Sequence, residues 1–225
     1  RATGVSTRPV MLAALAFRDA LTPEQRAETL FPIDHIEWRR WHNVHRFDRN
    51  GVSFREMTPA QREAAFALMQ AGLSARGFQQ TRDVMRLNGE LARLRDNFEE
   101  YGEVLYHFNL FGEPSPSDPW GWQLNGHHLV VNYFVLGDQV VMTPTFLGSE
   151  PVVAAPDGPY AGAQVLQEEQ DLGLALMRSL RPDQQSRATL ADSKPGNNAL
   201  AQAFRDNLVL DHAGLPVREM DRGRR

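Results

Sequence analysis

The chain has 225 residues, 42% of them hydrophobic and 23% charged, with a formal net charge of −4 and no cysteine. That is the composition of an ordinary globular protein, long enough to bury a sizeable core as one large domain or two small ones. It excludes disulfides, thiolate nucleophiles and cysteine-based metal centres, argues against a general nucleic-acid binder, and contains no apolar run of about 18 residues that would predict a membrane span.

The N-terminal third reads as helical. Val10, Leu12, Ala13, Leu15, Ala16 and Phe17 form one apolar segment. In Leu21-Thr22-Pro23-Glu24-Gln25, Thr22 is a cap, Pro23 suits the first helical position and Gln25 completes a capping box. Met57-Thr58-Pro59-Ala60-Gln61 repeats the device before a helix with Phe66, Met69 and Leu73 on one face. Gly72 to Gly77 reads as a helix junction. Val84, Leu87, Leu91 and Leu94 then mark a further helix by their spacings of three and four.

The middle third changes period. Val104 to Phe111 is rich in β-formers and ends at a loop through Gly112-Glu113-Pro114 and Pro119. Trp122 to Leu136 reads as a strand or a bent pair of strands, Gly137-Asp138 as a turn, and Gln139 to Phe146 as the returning strand. Pro144 marks a strand end, a bulge or a sheet edge. The last third is helical again, with Val165, Leu166, Leu172, Leu174, Leu176 and Leu180 as its apolar face and a second helix starting at Pro182. These elements predict an α+β fold: a central antiparallel sheet over 104–147, flanked by N-terminal and C-terminal helical segments.

A weak internal echo links the two helical thirds. Leu21-x-Pro23-Glu24-Gln25 matches Leu180-x-Pro182-Asp183-Gln184, and Gly51-x-x-x-Arg55-Glu56-Met57 matches Gly214-x-x-x-Arg218-Glu219-Met220 at a similar offset. Either a helix-loop-helix element has been duplicated, or capping chemistry alone has selected the same residues twice. Residues 1–225 are accordingly expected to be a single α+β domain, or the N-terminal part of a longer duplicated one. The start at Arg1 rather than Met is read as a removed leader or a fragment, and a cleaved export signal is one explanation.

Candidate chemistry concentrates in Trp120-Gly121-Trp122-Gln123-Leu124-Asn125-Gly126-His127-His128. Imidazole is costly in an apolar strand unless its nitrogens find partners. Strand parity would put His128 on one face with Val130, Asn132 and Phe134, and His127 on the other. His128 on the more polar face is the preferred metal ligand, and His127 joins it only if a bulge at Gly126 re-aims the pair. The alternative is a pair of structural histidines bonded to carbonyls. A second cluster runs from His35 to His45, where His35, His42 and His45 would share one helix face. His42 is a further candidate ligand, since imidazole and carboxylate suit Zn, Fe or Mn. The spacing lacks the specificity of His-Glu-x-x-His, and a Trp- and Arg-rich surface segment packing against the sheet is the favoured reading of this cluster. Glu113 beside the tryptophans could act as a general base with a raised pKa, or simply cap its loop.

Taken together, Trp41-His42, Met57-Thr58-Pro59-x-Gln61, Gly72-Leu73-Ser74-x-x-Gly77, Phe111-Gly112-Glu113-Pro114-Ser115, Trp120-Gly121-Trp122, Gly126-His127-His128-Leu129, Asn132 and Thr143-Pro144-x-Phe146-x-Gly148-x-x-Pro151 resemble the domain of unknown function 3500 family. The resemblance spans residues 10 to 220 and says little about activity. It implies an export signal, hence a periplasmic or extracellular setting. It also implies a longer chain with a His-x-His element after the Gly-Leu-Pro segment, which this sequence does not contain.

Two functional expectations follow. One is a hydrolase or oxygenase dependent on a divalent Zn, Fe or Mn ion held by His128, His127 and His42. It would act on a small or saccharide-like substrate, with Glu113 and Asn132 as catalytic groups and Trp41, Trp120 and Trp122 walling the pocket. The other is a non-catalytic binding or structural module whose histidines are structural. Convergence of His128, Asn132, Glu113 and a residue from 35–45 in one cleft would favour the first.

Overall fold

The computed structural model describes Gly4, residues 6–193 and residues 212–220. The chain divides into two compact units, the first running to Val165 and the second starting at Leu166.

In the first unit the helices are α1 (Arg8–Ala20), α2 (Pro23–Thr29), α3 (Pro59–Gly72) and α4 (Ala75–Arg95), and α2 and α3 start where the Thr-Pro caps predict. Thr22 accepts from the Gln25 amide while the Gln25 side chain accepts from the Thr22 amide, and Thr58 and Gln61 repeat the exchange. Ser74 separates α3 from α4 by capping the Gly77 amide. Val84, Leu87 and Leu91 are buried, as their spacing predicts; Leu94, at the last turn of α4, is 58% exposed.

Among the described residues the sheet has seven strands: β1 (Leu30–Phe31), β2 (Val52–Ser53), β3 (Tyr106–Phe111), β4 (Trp120–Gly126), β5 (Leu129–Leu136), β6 (Gln139–Val141) and β7 (Thr145–Leu147). From β3 onward every pairing is antiparallel, as expected. The sheet as a whole is mixed, because β1 joins β3 in parallel. β1 and β2 are two residues long, too short for any periodicity to reveal. Pro144 falls between β6 and β7, which pair with opposite ends of β5. A residue without an N–H belongs at such a break.

The two sheet faces have different jobs. One carries Phe108, Leu110, Trp120, Trp122, Leu124, Val131, Tyr133 and Val135, all buried. Helices cover it: Phe17 of α1 meets Phe108 at 5.1 Å, and a Cβ built on Gly72 at the end of α3 would lie 3.1 Å from Trp122. The other carries a row of amides, Asn109, Gln123 and Asn132, in register across β3, β4 and β5. The segment 36–49 crosses this second face, since Gln123 donates to the Trp38 carbonyl and Arg49 donates to the Asn125 side chain.

Within the second unit, α5 (Gln167–Ser179) and α6 (Pro182–Ala188) have the same lengths and the same chain spacing as α1 and α2. The likeness extends to tertiary bonds. Gln25 Nε2 donates to the Glu56 carbonyl at 3.4 Å, and Gln184 Nε2 donates to the Glu219 carbonyl at 2.9 Å. The Glu56 amide donates to the Ser53 carbonyl, as the Glu219 amide does to Pro216. Capping chemistry selects a glutamine at the third helical position; it does not select the carbonyl that its other end reaches across a long loop. Of the expected apolar face, Val165 and Leu180, which flank α5, are buried, whereas Leu172, Leu174 and Leu176 within it are 64%, 45% and 41% exposed.

Candidate functional site

The amide face holds a cleft of about 410 Å³ lined by Ile33, Trp38, Arg39, Trp41, Asn132, Phe134, Val141, Thr143 and Pro144. Trp38 is its main aromatic wall. The indole stacks on Phe111 at 3.8 Å and 17°, and its Nε1 donates to the Ile33 carbonyl at 2.8 Å. Gly121 makes this possible. A Cβ there would sit 2.8 Å from Trp38 Cη2 and 2.3 Å from the Tyr133 carbonyl, so only glycine leaves room for the ring.

Asn132 is 3% exposed and fixed in orientation. Its Oδ1 accepts from Gln123 Nε2 at 2.7 Å and its Nδ2 donates to the Pro144 carbonyl at 2.8 Å. Gln123 Oε1 in turn accepts from Asn109 Nδ2 at 3.2 Å. A primary amide has two donors and two acceptor lone pairs. Asn132 therefore keeps one N–H and one lone pair for a ligand.

A second site lies at the end of the β4–β5 hairpin. His127 and His128 are not strand residues; they are its two-residue turn, so strand parity does not apply to them. His128 has φ of 58°, a left-handed conformation usually given to Gly at this turn position. Its amide donates to the Asn43 carbonyl at 2.8 Å, and its carbonyl accepts from Gly148 at 2.8 Å. His127 is 8% exposed, and its Nδ1 lies 2.9 Å from Asn88 Oδ1. Asn88 Nδ2 donates to the Gly102 carbonyl, so Oδ1 must be the atom facing the ring. His127 Nδ1 therefore carries the hydrogen and Nε2 the lone pair.

Three imidazoles meet here. The His127 ring centroid is 4.1 Å from that of His128 and 5.3 Å from that of His45. His45 Nε2 stands 3.4 Å from the Tyr101 hydroxyl and 3.5 Å from Glu100 Oε2. A cavity of about 150 Å³ is bordered by His45, His107, His127, Asn88, Arg49 and Glu100 among others. Burial pushes the His127 pKa down to about 3, helped by His128, His45 and Arg49. Burial also lowers those of His45 and His107. The His127 ring is neutral at neutral pH. Arg49 organises the wall: its guanidinium donates to Asn125 Oδ1 and to the carbonyls of His42, Val44, His45 and Phe47. Burial lowers its own pKa to about 10.

The structure places the expected residues unevenly. Trp41, 2% exposed, and Asn132 share the aromatic cleft. Trp120 and Trp122 lie on the opposite, helix-covered face: Trp120 donates Nε1 to the Ser115 carbonyl and Trp122 stacks on Tyr133 at 5.1 Å. They are core residues because alternate β4 positions point away from the cleft. Glu113 is a surface carboxylate, its side chain 70% exposed and paired with Arg18. His42 lies on no helix, because only Ile36–Arg39 forms a short 3-10 turn. Its Nδ1 accepts from the Val44 amide and its ring sits 5.5 Å from Phe47. Among the described residues no three His, Cys, Asp or Glu side chains are arranged to hold a metal ion together. Sequence reasoning missed Trp38, Phe134, Asn88 and His107 as site residues. Gly121 between two tryptophans was the signal for a ring packed on the other face.

The molecule is thus an α+β protein in which helices bury one face of a mixed sheet and the other face is left to a loop and an aromatic cleft. The chain matches the family described as protein of unknown function (DUF3500) over residues 3–225, and it belongs to that family. No curated protein and no solved structure matches it. No helix among the described residues is long and apolar enough to cross a membrane.

Proposed function

We propose that the protein binds a small molecule with a flat apolar face, a saccharide or an aromatic ring, in the Trp38–Trp41–Phe134 cleft. One observation carries this reading: a cleft of about 410 Å³, the size of a small-ligand pocket, whose apolar walls surround a single fixed amide with spare hydrogen-bonding capacity at Asn132. Apolar walls supply contact area, and the amide orients a ligand hydroxyl or carbonyl. The Gln123 bond holds Asn132 in place before any ligand arrives, so little ordering cost falls on binding.

Tryptophan fluorescence of the full chain titrated with cellobiose, phenyl glucoside and benzoate tests the reading. The expected result is a saturable change with at least one probe. It should be lost in Trp38→Ala and weakened about tenfold in Asn132→Ala, a loss on the scale of one hydrogen bond. Glu113→Gln should bind as the wild type does. Absence of saturation with all three probes, or undiminished binding by Trp38→Ala, would refute it.

A further inference from the structure

We infer that the cavity behind the β4–β5 turn binds one divalent transition-metal ion through the imidazoles of His45 and His127, with water in the remaining coordination positions. This site is separate from the aromatic cleft and does not depend on the ligand proposed there.

The tautomer of His127 is fixed by its neighbours. Its Nδ1–H is spent on Asn88 Oδ1 at 2.9 Å, and Asn88 is itself anchored to the Gly102 carbonyl at 2.9 Å. This is the outer-shell arrangement that metal-binding histidines use: one nitrogen fixed by an oxygen acceptor, the other presenting its lone pair. The main chain is held as well, since the buried Tyr106 hydroxyl donates to the His127 carbonyl at 3.0 Å.

The second imidazole stands at a suitable distance. Two rings bound to one tetrahedral ion through bonds of about 2.0–2.1 Å have centroids about 5 Å apart. His45 and His127 are 5.3 Å apart and edge-on at 76°. Both line the same cavity of about 150 Å³, enough room for an ion and its waters.

The chemistry of the donors selects the ion. Imidazole suits zinc, cobalt, nickel and copper and is a poor ligand for magnesium or calcium. Charges facing the cavity oppose one another: Glu99 and Glu100 attract a cation and Arg49 repels it. Since no third His, Cys, Asp or Glu completes a cage among the described residues, the site has open positions and moderate affinity.

Calorimetric titration of the metal-free full chain with Zn²⁺, paralleled by visible absorption with Co²⁺, tests the inference. The expected result is one equivalent bound, with no binding of Mg²⁺. His127→Gln and His45→Gln should each weaken binding by at least tenfold, and Asn88→Ala by about tenfold or more, as loss of an outer-shell partner does. His128→Ala should bind as the wild type does. If His127→Gln fails to fold, the more exposed His45 variant and ¹⁵N shifts of the wild-type His127 ring on adding Zn²⁺ decide the matter. Absence of saturable Zn²⁺ and Co²⁺ binding would overturn the site, as would wild-type affinity in both glutamine variants or loss of binding confined to His128→Ala.

Discussion

His127 makes stability depend on pH in a way that can be worked from the structure. Burial, with His128, His45 and Arg49 adding to it, lowers its pKa to about 3 in the folded protein. In the unfolded chain the same ring takes up a proton near its ordinary value of 6.5. Well above that value neither state is protonated and the ring has no effect. As the pH falls through it, only the unfolded chain gains the proton, so stability drops. The drop approaches about 1.4 kcal/mol per pH unit and ends only when the folded ring protonates. At about pH 5 the loss from this ring is ~2 kcal/mol. Glutamine at 127 cannot titrate and can still donate to Asn88. Urea unfolding at about pH 7.5 and about pH 5 should show the wild type losing ~2 kcal/mol more than His127→Gln between the two conditions. Equal losses would refute the reasoning, as would an NMR titration placing this imidazole near 6.5 in the native protein.

Further consequences concern the cleft and the turn. Gly121→Ala drives a methyl into the Tyr133 carbonyl and the Trp38 ring. It should cost ~1–3 kcal/mol by thermal unfolding and displace the indole, with loss of ligand-induced fluorescence change; an unchanged melting temperature would count against the packing described. Gln123→Leu leaves Asn109 Nδ2 and Asn132 Oδ1 without their partner. The expected cost is ~2 kcal/mol in denaturant unfolding, and a neutral result would mean that water replaces the amide row. His128→Gly relieves a left-handed non-glycine residue. It should leave stability unchanged or raise it by up to ~1 kcal/mol, whereas a large loss would show that the ring itself holds the turn.

The sequence alone determined what depends on neighbours along the chain. Thr22 with Gln25 and Thr58 with Gln61 specify helix starts because the bonded groups are three residues apart. The same local logic placed the antiparallel strands between Val104 and Phe146 and the break at Pro144. Tertiary structure decided which side of each element matters. Whether a strand residue lines a core or a cleft depends on where the turn falls, and placing the turn at His127-His128 moved both histidines out of the strand. Trp120 and Trp122 then fell to the helix-covered face, while Trp38 reached the cleft from a single 3-10 turn in the 36–49 loop, too short for periodicity to reveal it. The path of that loop is set by Arg49, whose donors gather carbonyls from residues 42–47 against Asn125 of β4. Such bonds join residues far apart in sequence, and they form only because the sheet already presents their acceptor. The histidine pair is therefore legible as unusual in the sequence. Its partners Asn88 and His45 are fixed only by the fold.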